Sequence, residues 1–376
     1  MGLSPGERRL ARFLCYSLAV IVVIAFVLWP PVSYASVTAQ KGIQGARDHL
    51  DSIRNETLGV QKVFAISLPS RLDKRDNIVL GSSVSDFHVE FIDGMVPDEI
   101  DPKTYPYNWN YDNRPVEYAA RRSHVNAMQK IVSERLGSAI IMEDDADWDV
   151  SIKTQLQNLA IAVRALQQDD PVSDSPYGHD WDILWLGHCG LECHTQQPSF
   201  ITPNDSTVLP PHHFLPYWRD PPPVHRPDDS RLTCTVSDGV CSIVYAVSFR
   251  GAQRILAALS VNPSDIAEKI DIGAQFDVSL GRMCGNRFLT CFGAYPSLTG
   301  GYKAAGPAAK GSDINGPAVD GGPVEGPFSS GVMYSTMLNI NRLLNGETIV
   351  RSTWDDALVP EIDPRSIPVL GGNLQG

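Results

Sequence analysis

Residues 139–149 read AIIMEDDADWD, an apolar run followed by five carboxylates within seven residues. The apolar part is short, continuous and free of polar side chains, which predicts a buried β-strand at 139–142. In an open α/β sheet, ligands bind beyond the carboxyl ends of the strands. The acidic run therefore stands where such a fold would have its binding site.

Strand and helix signals alternate on both sides of this run. Short apolar runs typical of strands also occur at 62–68, 88–92, 181–186 and 242–249. Apolar residues recur at helical spacing at 121–136, 153–168, 251–259 and 332–344. This alternation predicts an α/β fold with an open, mostly parallel sheet.

The predicted domain covers residues 61–345. A Pro-rich insertion at 198–227 and a Gly/Pro-rich loop at 300–331 interrupt it, and both are too long for ordinary connections. A C-terminal tail, 346–376, follows the domain.

The N-terminus carries a membrane-targeting signal. Residues 13–29 are apolar and uncharged, and arginines precede them. Positive charge on that side predicts a signal anchor with a cytosolic tail (1–12), a stem (30–60) and a luminal domain. The chain is then a single-pass type II protein of the Golgi or endoplasmic reticulum membrane. The alternative is a cleaved signal peptide, because residues 33–35 form a small-x-small site; the protein would then be secreted.

Cysteine usage agrees with a luminal location. One cysteine lies in the apolar run, and six follow it: Cys189, Cys193, Cys234, Cys241, Cys284 and Cys291. An even number in an oxidising compartment predicts up to three disulfides, with local pairs favoured by the spacing and a zinc site less favoured. The sequons at Asn55 and Asn204 predict a glycoprotein.

The composition argues against two classes of protein. The chain is 43% apolar and 20% charged, which is unlike a disordered protein. It has 43 acidic and 31 basic residues, a net charge of −12, so a nucleic-acid partner is disfavoured.

The acidic run itself suggests a cation site. Four carboxylates packed at Glu143, Asp144, Asp145 and Asp147 repel one another unless a cation lies among them. Oxygen ligands suit Mn²⁺ or Mg²⁺. The alternative is a solvated acidic loop that caps the following helix.

Six segments, in this order, resemble glycosyltransferase family 25, the lipopolysaccharide biosynthesis and collagen galactosyltransferase relatives, and in particular its fungal-type branch. They are FAISLPSRLDKR (64–75), RSH (122–124), EDDAD (143–147), WDILWLG (181–187), YAVS with GA (245–248 and 251–252) and FDV (276–278). The resemblance covers roughly residues 62–345.

The resemblance implies an inverting hexosyltransferase with a GT-A-like, Rossmann-related domain. Its donor would be a UDP-sugar, with UDP-galactose as the first candidate, and its acceptor a glycan or glycoprotein. The acidic run matches the DxD-type motif, which makes Glu143, Asp145 and Asp147 the metal ligands. The metal would bridge the donor diphosphate.

The same resemblance assigns other site residues. The residues placed near the donor are Ser67, Arg71, Arg75, His124 and Asp144. Either arginine could instead be a turn charge paired with Asp73 or Asp76, and His124 could be satisfied at a helix start. An inverting transfer needs a carboxylate base, for which Asp277 is the first candidate and Asp271 the second. No histidine follows His225 to serve as the late metal ligand of many GT-A enzymes.

Two other functions stay open on the sequence. A catalytically inactive luminal relative would bind glycans or act as a chaperone with the same fold. A glycoside hydrolase would need two acids several ångströms apart across a cleft, which adjacent acids on one loop suit poorly.

Overall fold

The computed structural model describes residues 49–106, 109–168, 174–214, 225–261, 266, 269–315 and 322–375. The predicted anchor at 13–29 lies outside these residues. Within them, no helix combines the length and the apolar character needed to cross a bilayer. The last part of the predicted stem packs into the domain, because Ile53 and Leu58 are buried in its core.

A mixed β-sheet forms the centre of the fold. Its strands are β1 (Lys62–Ser67), β2 (Glu90–Asp93), β3 (Ser138–Glu143), β5 (Ile183–Gly187), β6 (Gly190–Cys193), β7 (Ser199–Thr202), β8 (Arg231–Val240), β9 (Val244–Ser248), β10 (Cys291–Tyr295) and β15 (Asn373–Gln375). Two small sheets use β4 (Ala146–Trp148), β11 (Thr299–Lys303) and β12 (Phe328–Ser330), and β13 (Val350–Arg351) with β14 (Glu361–Ile362).

The central sheet has the order β15-β7-β8-β10-β5-β9-β3-β1-β2, with β6 paired to β8. Strands β2, β1, β3, β5 and β10 run in the same direction, and β9 lies antiparallel between β3 and β5. The predicted α/β class with a mostly parallel central sheet is confirmed. Antiparallel pairing begins beyond β10, where β8, β7 and β15 extend the sheet.

Helices cover both faces of this sheet. Those described in full are α1 (Leu72–Val84), α2 (Pro115–Glu134), α3 (Ile152–Gln167), α4 (Phe249–Leu256), α5 (Phe276–Gly285) and α6 (Ile340–Leu344). Successive strand residues face opposite layers. Ile141 therefore packs with α2, α4 and α5, whereas Ile140 packs with α1 and α3.

The structure corrects several boundaries predicted from the sequence. Helix α2 begins at Pro115, so His124 lies inside the helix and not at its start. The predicted helix at 332–344 is reduced to α6. Helix α1, whose exposed face includes Leu72 and Val79, has too weak an apolar stripe to be predicted.

Three disulfides tie the sheet to its connections. They pair Cys189 with Cys241, Cys193 with Cys234, and Cys284 with Cys291. The expected number is confirmed. The expected local pairing holds only for Cys284–Cys291, because the other two bonds cross between strands that are distant in sequence. These bonds use all six cysteines after the apolar run, so none is left for zinc.

Candidate active site

The polar ends of neighbouring strands meet at one edge of the central sheet. Strands β1 and β3 are parallel, and Ile66 is paired with Glu143, so the segments that follow both strands leave the sheet side by side. Strand β9 runs the opposite way and brings residues 241–243 to the same edge. The acidic run therefore stands at the carboxyl edge, as its position after a strand predicts.

A buried lysine lies between the first acids of the run. Lys74, in the first turns of α1, places its Nζ 2.7 Å from Asp144 and 3.5 Å from Asp145. Burial opposes its charge, but these two carboxylates hold the pKa of Lys74 above its ordinary value. Partial burial and the negative charges of Glu143 and Asp144 raise the pKa of Asp145 to about 6, although the positive charge of Lys74 lowers it. The carboxylates are crowded even with this cation in place.

Glu143 faces a second group of side chains. Ser242 donates a 2.8 Å hydrogen bond to Glu143, and His124 Nε2 lies 3.7 Å from the same oxygen, too far for a hydrogen bond. Burial opposes ionisation, yet His124, Ser242 and Lys74 hold the pKa of Glu143 below its ordinary value. His124 is itself fixed, since Nδ1 lies 3.0 Å from the Tyr245 hydroxyl and the ring stacks on Phe276.

Asp277 joins this group, and Asp271 does not. Asp277 is in the first turn of α5 and accepts a 2.7 Å hydrogen bond from the N–H of Cys241, the neighbour of Ser242. Burial raises the pKa of Asp277, and the negative charge of Glu143 contributes to the rise. Asp271 is 68% exposed and pairs with Arg282 at the other end of the helix.

Arg71 holds a loop over the site. It pairs with Asp73 and Asp313, and its N–H groups reach the carbonyls of Lys310 and Gly311 at 3.0 Å. The Gly/Pro-rich loop is thereby tied to segment 64–75. The pKa of Arg71 is raised chiefly by the hydrogen bond to Asp73.

The two remaining donor-site candidates are Ser67, the last residue of β1, and Arg75, in the first turns of α1. Arg75 donates to the carbonyl of Ser67 at 2.9 Å, pairs with Asp93 and lies over the Phe91 ring. The side chain of Ser67 is buried. Their contact lies at the carboxyl end of β1, the strand that pairs with β3.

Asp147 has a different environment from the acids before it. Its carboxylate is completely buried and accepts from the hydroxyls of Ser329 and Ser335 and from the N–H groups of Trp148 and Met337. A carboxylate has about four acceptor positions, and the chain fills them here. A metal role for Asp147 would require it to release these donors.

Sequence reasoning missed three members of the site. Lys74 lies three residues from Arg71, on one face of a helix, but the weak helix signal hides that face. Ser242 and Asp313 reach the site from segments 99 and about 170 residues beyond Glu143, and no local pattern marks them.

Curated proteins similar to this chain include galactosyltransferases. It is 24% identical over 225 residues to procollagen galactosyltransferase 1 of Danio rerio, which covers 54% of this chain and 30% of the relative. It is 20% identical over 215 residues to procollagen galactosyltransferase 2 of both Mus musculus and Homo sapiens, covering 54% of this chain and 28% of each relative. The chain resembles procollagen galactosyltransferases.

The similarity has clear bounds. The chain spans less than a third of the length of these relatives. No family model matches it. The similarity supports the resemblance to glycosyltransferase family 25 at the level of the collagen galactosyltransferase relatives. These three relatives are from vertebrates and do not bear on the fungal-type branch.

Proposed function

We propose that the protein is an inverting glycosyltransferase with a GT-A-like fold. It transfers a hexose, galactose as first candidate, from a UDP-sugar to a hydroxyl of a glycan or glycoprotein. The observation that carries the proposal is the grouping of Lys74, Asp144, Asp145, Glu143 and Asp277 at one sheet edge, in a chain similar to galactosyltransferases. The proposed location is the lumen of the Golgi or endoplasmic reticulum, behind the anchor at 13–29.

The charges of the site favour a divalent cation. Five carboxylates surround two cations, Arg71 and Lys74; they are Asp73, Glu143, Asp144, Asp145 and Asp313. A nucleotide diphosphate would add further negative charge, so its binding calls for additional positive charge. The oxygen-only donor set fits Mn²⁺ or Mg²⁺.

We assign Asp144 and Asp145, with Glu143 beside them, as the residues that would hold this cation. Bound there, the cation would neutralise charge on the departing nucleotide. Asp147 is left out because the chain already occupies its acceptor positions. Lys74 would keep the two aspartates ionised and contribute positive charge beside the diphosphate.

Asp277 has the properties of the general base. Cys241 contacts Asp277 and its neighbour Ser242 contacts Glu143, so this dipeptide links the two carboxylates, and the Cys241 N–H fixes one oxygen of Asp277. Its raised pKa makes it a stronger proton acceptor than a solvated aspartate. It would take the proton of the acceptor hydroxyl as the anomeric carbon is attacked.

A donor screen tests the proposal. The purified protein is incubated with a panel of nucleotide sugars, with Mn²⁺, Mg²⁺ or EDTA, and released nucleotide is measured. We expect UDP release from UDP-galactose that needs a divalent cation. Binding of UDP without turnover of any donor would identify an inactive relative. Full turnover in EDTA would show that Lys74 and Arg71 suffice and would remove the metal from the mechanism.

The two aspartates near α5 provide a matched pair. Asp277→Asn should lower kcat about 100-fold with little change in the KM for donor, because only the proton acceptor is lost. Asp271→Asn removes an equal charge from an exposed site and should keep activity within about twofold. Equal losses in both variants would contradict the assignment of Asp277 as base.

A further inference from the structure

Two histidines and an aspartate converge on the surface outside the acidic run. His212 and His213 each place Nε2 against one oxygen of Asp356, at 2.6 and 2.7 Å. The three ligand atoms all lie within 4.8 Å of one another. Among the residues that the structure describes, no other three His, Cys, Asp or Glu side chains converge in this way.

This group is held in place by its surroundings. The His213 ring stacks on Trp354 with centroids 3.9 Å apart, and the Trp354 indole donates to the carbonyl of Val332. Residues Pro211–His213 form a 3-10 turn closed by a 2.9 Å hydrogen bond from the N–H of His213. Asp356 sits in a turn in which Ala357 N–H donates to Trp354. The His213 ring and the turn that carries Asp356 are therefore positioned before any ligand arrives.

We propose that His212, His213 and Asp356 bind a Zn²⁺ ion. Zn²⁺ takes imidazole nitrogen and carboxylate oxygen at about 2.0–2.2 Å, and its tetrahedral ligands stand about 3.4 Å apart. The two nitrogen–oxygen distances need to open by less than about 1 Å to reach that spacing. Three protein ligands leave the fourth position to water. Each imidazole would bind the ion through an unprotonated ring nitrogen.

The donor set separates this site from the one proposed for the sugar nucleotide. Two nitrogens and one oxygen favour Zn²⁺ over Mn²⁺, whereas the acidic run offers oxygens only. None of the contacts that the structure gives these three residues involves Glu143, Asp144 or Asp145.

The ion would be a cross-link. His212 and His213 belong to the Pro-rich insertion and Asp356 to the C-terminal tail, more than 140 residues apart. In the part of the insertion that the structure describes, Leu209 and Phe214 pack in the same small cluster around Tyr334 as Val350 and Trp354 of the tail. A ligand that binds only the folded arrangement stabilises the protein by mass action.

Isothermal titration calorimetry of the purified full chain with ZnCl₂ at pH 7.5 tests the proposal. We expect one Zn²⁺ per chain with a Kd below about 10 μM and at least tenfold weaker binding of Mn²⁺ to this group. Saturating Zn²⁺ should raise the Tm by about 4 °C. His212→Gln and Asp356→Asn should each weaken Zn²⁺ binding about tenfold or more, and zinc-edge absorption should show two imidazole ligands.

His88→Gln is the matched control, because it removes an exposed histidine elsewhere and should leave Zn²⁺ binding unchanged. Retention of wild-type affinity in His212→Gln would overturn the proposal. A wild-type Kd above about 100 μM would do the same and would leave the group as a hydrogen-bonded clasp. Neither result depends on transferase activity, so the proposed function is tested separately.

Discussion

The acidic run divides at Ala146 into two halves with opposite environments. Asp144 and Asp145, just beyond β3, contact the ammonium of Lys74, a side-chain partner. Asp147 and Asp149, in and after β4, are completely buried and accept from fixed N–H and O–H groups of residues 329–337 and of their own segment. Like residues in one short run therefore serve different purposes.

The nature of the partner separates the two halves. Backbone N–H groups cannot move away without unfolding the segment that carries them, so a carboxylate with both oxygens bound to fixed donors is committed to the fold. A lysine ammonium lies at the end of a four-carbon side chain and can move without displacing the backbone. By this criterion, Asp147 and Asp149 fasten residues 329–337 to β4, and the acids before Ala146 are available for a ligand.

The largest expected effect is on stability at Asp147. Asp147→Asn keeps the size but replaces an acceptor oxygen by a donor amide, which faces the donors of Ser329 and Ser335. We expect the free energy of unfolding to fall by about 3–4 kcal/mol. Urea denaturation measures it. Asp145→Asn is the control, and its free energy of unfolding should stay within about 1 kcal/mol of wild type. An Asp147→Asn protein as stable as wild type would remove the distinction between the halves.

The second effect is on activity at Asp145. Its side chain remains 39% exposed at the sheet edge, and the contact that the structure gives its carboxylate is to the Lys74 ammonium and not to a backbone N–H group of another segment. Asp145→Asn should lower kcat/KM for the UDP-sugar about 100-fold, because the divalent cation that binds the diphosphate would lose one of its protein ligands. The Mn²⁺ concentration for half-maximal activity should rise in the same variant. An unchanged kcat/KM, in a variant that folds normally, would contradict the ligand role.

Local signals predicted the part of the fold that positions the site. Continuous apolar runs marked β1, β3 and β5, and the acids after β3 fell at the carboxyl edge as expected. Strand β8 was missed because RLTCTVSDGV mixes polar and apolar residues without a clear period. Helix α5 was missed because it is short and contains glycines, one of which, Gly281, lies against the backbone of Gly239.

Contacts between distant segments escaped prediction. Nothing in the acidic run distinguishes Asp145 from Asp147. Their environments differ because Asp145 contacts Lys74 in α1, whereas Asp147 accepts from serines near residue 330. From the sequence, the Gly/Pro-rich loop was predicted only as an interruption too long for an ordinary connection. Its attachment to Arg71 through residue 313 is a long-range ion pair that no spacing encodes.

The smallest expected effect concerns this ion pair. Asp313 contacts Arg71 and lies 3.7 Å from Lys74. Its carboxylate would therefore compete with the donor phosphates for these two positively charged side chains. Asp313→Asn removes that competition, and we expect the KM for the UDP-sugar to fall about threefold with kcat little changed, as suits a partly exposed pair. Glu325→Gln, an exposed acid of the same loop, is the matched control and should leave the KM unchanged. A KM that rises in Asp313→Asn would show that the Arg71–Asp313 pair holds the loop in its active position. The pair would then have a structural role, like the contacts of Asp147.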